Sequence, residues 1–394
     1  MILNTLEIIL LAALIVCFIV RLLFYWIVLA KPYYYMRSFA KKNDNLQNDR
    51  EQPPVSVIIS IKKSNRDLLQ FLPDILEQDY PAFQVIVVTD RIEDTEEETL
   101  ERLKTSYPHL YSTHVPDDTK NISRKKLALT LGVKAALYDK LLFIESDSRI
   151  RSNDWISLMA RRFSDKKTIV LGFSAFEKTK GLLGKYMSYD YFVSNLQMIS
   201  LALFNHPYAG NGRNMAYLKT HFIERKGFVK YRILQHGEDD LFINEIATKE
   251  NTAVELSPAS VTLRETSDFY DWKLQKIDRM ITKQFYKRGP VAFWRMESYI
   301  RIGFFAALIA CFIQGSPYAS PEDFILPGIA FLCLVIQLVS QFIVINKTAG
   351  KLQLGKYYLT IIWFDLFQPF INLYFYIYRV VKGKENYTYR YEKR

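Results

Sequence analysis

Apolar positions gather at the two ends of the chain and alternate with polar ones in between. Residues 8–30 are apolar apart from Arg21, long enough to span roughly 30 Å of hydrocarbon as a helix. The run at 55–61 is β-branched, broken only by serines, and predicts a first core strand. Helical spacing follows over 67–78, with Leu68, Leu69, Leu72, Ile75 and Leu76 on one side. Further strands are predicted at 84–89, 141–144 and 169–173, and helices at 95–103, 123–137 and 240–248. Strands alternating with helices of this length predict an α/β domain with a mostly parallel sheet.

The pattern turns apolar again near Tyr299, with segments at 302–313, 324–345 and 357–381. The last contains Asp365, Gln368 and Pro369 and predicts either a span or a re-entrant or interfacial hairpin. Lys31, Arg37, Lys41 and Lys42 follow the first segment, so the positive-inside rule puts the central domain in the cytoplasm. The expected organisation is a membrane anchor at 1–31, a linker at 32–53 and a cytoplasmic domain at 54–298. Membrane segments at 299–381 and a basic tail at 382–394 complete it.

A net charge of +11 calls for an anionic partner. Aromatic residues make up 15% of the chain and crowd towards its ends, where Trp and Tyr sit at headgroup level. That favours a lipid bilayer and argues against a nucleic acid. Cys17, Cys311 and Cys333 lie inside apolar runs without metal or disulfide spacing.

Candidate chemistry comes in several places. Glu145 and Asp147 follow the strand at 141–144, where two carboxylates can hold a divalent cation against a diphosphate; a solvated acidic turn reads the same. Asp90 ends another strand, a nucleoside position or simply a turn. Lys125 and Lys126 open a helix against its dipole, which suits a nearby anion or plain solvent. Gly210, Gly212, Arg213 and Asn214 form a glycine turn that lets backbone approach a ligand. Glu238, Asp239 and Asp240 open a helix and offer a general base or a capping cluster. Gln275 and Arg279 lie one helical turn apart, and Arg279 can clamp a diphosphate or pair with surface acids.

In this order the motifs resemble the membrane-bound family 2 glycosyltransferases, which include cellulose- and hyaluronan-synthase-like enzymes. The match runs through Val55-Ser-Val-Ile-Ile59, Leu76-Glu-Gln-Asp-Tyr-Pro81, Asp90, Lys125-Lys126-x-Ala128-Leu129 and Glu145-Ser-Asp147. It continues through Gly210-x-Gly212-x-Asn214-x-Ala216-Tyr217, Gly237-Glu-Asp-Asp-Leu241 and the segment from Trp272 to Arg279. The resemblance implies a GT-A fold flanked by transmembrane helices and a multi-pass protein of the inner membrane. It implies an inverting transferase with a nucleotide-diphospho-sugar donor, a UDP-sugar first, and a saccharide or lipid-linked acceptor. Asp147 and Glu145 would hold Mg²⁺ or Mn²⁺, with Asp239 as base and Glu238 as the next candidate. Asp90, Lys126, Gly210, Gly212, Arg213, Asn214, Gln275 and Arg279 would bind substrate. The chain departs from the pattern at Glu145, where the family has Asp, and at Lys62, Lys63 and Ser64, where it has Arg-Asn-Glu. Arg279 stands one position late and lacks the following Trp, which argues against processive synthesis. The alternatives are a processive synthase that exports its product and an inactive member that scaffolds envelope-polysaccharide assembly.

Overall fold

The computed structural model describes residues 5–43, 52–61, 66–90, 94–116, 123–177, 179–232, 234–265, 268–314 and 324–382. The altered positions Lys62, Lys63 and Ser64 lie outside them.

The chain enters through α1 (Thr5–Leu23), a π-helical segment (Phe24–Leu29) and α2 (Lys31–Asn43). The central domain then runs β1 (Val55–Ile61), α3 (Arg66–Leu76), β2 (Phe83–Thr89), α4 (Asp94–Ser106), β3 (Leu110–His114), α5 (Arg124–Ala135) and β4 (Lys140–Glu145). It continues with β5 (Ser148–Arg149), α6 (Trp155–Ala160), β6 (Ile169–Leu171), β7 (Ser174–Phe176), α7 (Gly181–Leu203), β8 (Met215–Leu218), α8 (Lys219–Glu224) and α9 (Asp240–Ile246). β9 (Thr252–Val254), β10 (Thr262–Arg264) and α10 (Phe269–Thr282) close it. Three long helices follow: α11 (Arg288–Gln314), α12 (Ile325–Lys351) and α13 (Thr360–Lys382).

Seven strands form a mixed sheet in the order β3-β2-β1-β4-β8-β6-β9, parallel from β3 to β4 with β8 antiparallel to both of its neighbours. A smaller sheet has the order β5-β10-β7. Register explains the two-sided core. Val57 pairs with Val85 and Leu142 and faces α3, α4 and α6, while Ile58 pairs with Ile86 and Phe143 and faces α5, α7, α9 and α10. A strand buried on both faces needs no polar alternation, hence the unbroken apolar runs. The second core is continuous with Tyr25, Leu29, Met36, Val344 and Phe364, so the long apolar helices pack on that side of the sheet.

Three helices are long and apolar enough to cross a membrane, over Thr5–Ser38, Arg288–Gln314 and Ile325–Lys351. The expected linker therefore begins as helix, because α2 packs on α7 and α12. The expected boundary at 298 falls inside α11. The segment predicted to span or turn back is one continuous helix, α13, despite Pro369.

Buried Asp365 accounts for the polar residues in that segment. It accepts from Arg21 Nη2 at 3.1 Å, Gln341 Nε2 at 2.7 Å, Arg301 Nη1 at 3.3 Å and the Tyr25 hydroxyl at 3.4 Å. One carboxylate thus joins α1, the π-helical segment, α11, α12 and α13. Buried charges are held by pairing with one another, and Asp365 fastens these helices together.

Candidate active site

The N-terminus of α5 distributes three consecutive basic residues to three places. Arg124 Nε donates to Asp90 Oδ1 at 2.5 Å, just beyond β2. Lys125 Nζ contacts Glu145 Oε1 at 2.7 Å and Glu238 Oε1 at 2.6 Å. Lys126 Nζ donates to the carbonyls of Tyr231, Leu234 and His236 at 2.7, 2.7 and 3.0 Å. Two lysines at a helix N-terminus oppose its dipole, and these carboxylates and carbonyls offset that repulsion.

At the carboxyl end of β4, Asp147 is gripped from two sides. Arg213 donates from Nε to Oδ1 at 3.0 Å and from Nη2 to Oδ2 at 2.9 Å, a bidentate pair, and Arg264 Nε meets Oδ2 at 2.9 Å. Arg213 Nη2 also reaches Glu145 Oε2 at 2.6 Å. Burial alone would raise both carboxyl pKa values. Arg213 outweighs it, helped by Arg264 at Asp147 and by Lys125 at Glu145, and holds both below the usual carboxylate range.

Facing them is the start of α9. Asp239 caps the helix, its Oδ1 accepting from the amide of Asp240 at 2.7 Å and its Oδ2 from the amide of Gly212 at 3.0 Å. Gly212 lies between the two acidic groups: a Cβ there would stand 3.2 Å from Glu145 Oε1 and 3.4 Å from Asp239 Cβ. Burial favours the neutral form of Glu238, but Lys125 and His236 outweigh it and keep this carboxyl ionised. Its Oε2 is buried without a partner among the described residues. Asp240 turns to Thr282 and to the Tyr286 hydroxyl at 2.6 Å, and burial with Asp239 beside it pushes its pKa up to about 6.

These groups line one cavity of about 230 Å³, together with Gln275 and Arg279 from α10. Gln275 Oε1 accepts from Arg264 Nη1 at 2.6 Å, and Arg279 lies 5.5 Å from the centre of the Tyr191 ring. Of the candidate residues, the structure brings Glu145, Arg213, Glu238, Asp239, Gln275 and Arg279 to the cavity lining, with Gly212 and Asp147 against it.

Four candidates stand elsewhere. Lys126 is committed to loop carbonyls, and its neighbour Lys125 reaches the cavity instead. Asn214 is fully buried, bridging the carbonyls of Phe173 and Ser260 and accepting from Trp155 Nε1 at 3.3 Å. Gly210 makes room for α9: a Cβ there would meet Ile243 Cγ1 at 2.6 Å. Asp90 sits two strands from β4 and pairs with Arg124 of α5. Arg264 is a site residue that the sequence does not reveal, since its strand has three residues and nothing in its spacing ties it to Asp147.

No group of three or more His, Cys, Asp or Glu side chains set to hold a metal ion exists among the described residues. A cage made by protein alone is therefore excluded for them. Mg²⁺-type sites commonly use one or two carboxylates plus substrate phosphates, and Glu145 with Asp147 fits that limited donor set. Asp147 already accepts four hydrogen bonds or ion-pair contacts, from Ser148, Arg213 and Arg264. A carboxylate has about four acceptor positions, so a cation on Asp147 would require one of these contacts to give way.

The mixed sheet, with acidic groups at the end of β4 and a capped acidic helix opposite, has the layout of a GT-A fold. The family model described as Glycosyl transferase family 21 matches residues 22–384, and the chain belongs to that family. Among solved structures, it is similar to the mannosyltransferase PcManGT from Pyrobaculum calidifontis in complex with GDP-Man and Mn²⁺. That similarity is 20% identity over 88% of this chain and 99% of that one, with a TM-score of 0.52. S. aureus TarS 1-349 is 16% identical over 76% of this chain and 83% of that one, with a TM-score of 0.37. TarS 1-349 in complex with UDP-GlcNAc gives 15% over the same shares and 0.38. No curated protein matches the sequence.

Proposed function

We propose that the protein is a membrane-anchored inverting glycosyltransferase that moves one sugar from a nucleotide-diphospho-sugar to a hydroxyl of a saccharide or lipid-linked acceptor. The kinship with membrane-bound family 2 enzymes, a UDP-sugar as first donor and a catalytic domain on the cytoplasmic face of the inner membrane belong to the same reading. One observation carries it: Asp239 and Glu145 face each other across Gly212 and line one cavity, which in this reading lies between a base and a phosphate seat.

In this mechanism Asp239 accepts the proton of the acceptor hydroxyl. Its two amide hydrogen bonds hold the carboxylate in one orientation, and a general base must be so held near the proton it takes. The acceptor oxygen attacks the anomeric carbon from the face opposite the leaving group, and the nucleoside diphosphate departs with the electrons of the broken C–O bond. Arg213, Arg264 and Arg279 supply cations for the diphosphate, and guanidinium forks match phosphate oxygens bidentately. Lys125 bridges Glu145 and Glu238 and favours the ionised form of both. A bound Mg²⁺ or Mn²⁺, held by Asp147 and Glu145, would act as a Lewis acid on the leaving diphosphate. Gln275 of α10 fixes Arg264, and Arg279 stands on the same helix, so α10 orders two of these three arginines.

The test is nucleoside diphosphate release from UDP- and GDP-sugars with membrane lipid or saccharide extracts as acceptor, followed by analysis of product size. A single added sugar is expected. A ladder of long polymer would contradict single transfer, and no release with any donor would contradict the reading as a whole.

A further inference from the structure

A second cavity, of about 670 Å³, lies away from the acidic site between α5 and the segment from Lys219 to Arg232. Its size falls within the roughly 300–1,000 Å³ typical of ligand pockets. Buried Val133, Phe222 and Phe228 form an apolar wall. Around it stand Lys126, Lys134, Lys219, Lys226 and Arg232, and no Asp or Glu among the described residues lines the cavity. Five cations without a lining carboxylate give a strongly one-signed field, which draws an anion.

These cations are not alike. Lys126 and Lys219 are spent on main-chain carbonyls, the latter on Ala136 at 2.7 Å. Lys134 and Lys226 are exposed and pair with no carboxylate among the described residues. An apolar trough with two available ammonium groups suits a molecule with a hydrocarbon body and an anionic head. A bilayer is made of such molecules, and this chain carries three helices long and apolar enough to cross one.

We infer that this cavity binds one anionic phospholipid, its acyl chain against Val133, Phe222 and Phe228 and its phosphate on Lys134 and Lys226. The site has a route to the acidic cavity. Lys126 lines this pocket, and its ammonium holds the carbonyls of Tyr231, Leu234 and His236, two residues ahead of Glu238. An occupant therefore packs against the anchor of the loop that carries the base. Only this last consequence rests on the transferase reading; the binding itself does not.

The experiment is native mass spectrometry of the detergent-extracted full chain with added phosphatidylglycerol or phosphatidylcholine. It compares wild type with Lys134→Gln/Lys226→Gln and with Val229→Glu, which puts a carboxylate on an exposed lining residue. All three changed side chains are exposed, so thermal unfolding should match wild type and certify the fold. Wild type is expected to retain one more phosphatidylglycerol than either variant and to show no such difference for phosphatidylcholine. Equal retention of phosphatidylglycerol by folded wild type and variants, or equal retention of both lipids by wild type, overturns the assignment. Because no sugar transfer is measured, the result is independent of whether the transferase reading holds.

Discussion

The backbone amide of Gly212 donates to Asp239 Oδ2 at 3.0 Å while its Cα faces Glu145. A residue without a side chain thus sets the spacing between the seat for the leaving group and the base. Gly212→Ala would force its new methyl against Glu145 Oε1, 3.2 Å away. A misplacement of about 1 Å costs on the order of 10²-fold in rate, and the contact here asks Glu145 to give by less than that. The variant is expected to fold normally and to lose kcat/KM by a smaller factor, read by nucleotide release. Wild-type kinetics would contradict the assigned spacing.

Arg213 makes the only contact shared by Glu145 and Asp147 among the described residues. Lysine keeps the charge but cannot form the fork. Arg213→Lys should raise the donor KM by roughly 10- to 150-fold, one lost charge-assisted bond being worth roughly 1.5–3 kcal/mol. Measured donor KM and kcat separate this from a change in the base, which would lower kcat instead.

Asp365 is the sole carboxylate that touches both Arg21 and Arg301 among the described residues. Replacing it by Asn leaves two guanidiniums buried with reduced compensation, and breaking a buried pair costs roughly 3–5 kcal/mol. The same cluster extends from Gln368 to Asp190 at 3.5 Å and on to Lys276 of α10. Asp365→Asn should therefore lower the Tm in detergent and reduce activity together. An unchanged Tm would remove the fastener role.

Burial and the neighbouring Asp239 push the Asp240 carboxyl up to about 6, against about 3.9 for an unfolded Asp. The native state then binds more protons than the unfolded state between roughly pH 4 and 6. Stability falls as pH rises through that window and levels off above it. A shift of this size corresponds to at most roughly 3 kcal/mol. Asp240→Asn should flatten that part of the Tm-against-pH curve; an identical slope in the variant would refute the assignment.

Much of the sheet could be read from the sequence, because β1, β2 and β4 are buried on both faces and therefore appear as unbroken apolar runs. β7, β9 and β10 could not, since three residues carry no periodicity. The long helix α7 also escaped, being buried on most sides and so lacking an amphipathic stripe. In the site, charge spacing singles out Glu145, Asp147 and Asp239 as candidates but cannot separate Lys125 from Lys126. Adjacent helical residues point about 100° apart, and only the loop from Tyr231 to His236 decides which one turns inward. Asn214 looked like a ligand contact for the same reason: a buried amide satisfied by two carbonyls is indistinguishable in sequence from one awaiting substrate.

The most direct measurement compares nucleoside diphosphate release by wild type and Asp239→Asn, at saturating donor and acceptor, with the donor Kd measured alongside. General-base removal typically costs about 10²–10⁴-fold. A fall of that order in kcat with an unchanged donor Kd is the predicted result. An Asp239→Asn protein that turns over like wild type would contradict the account.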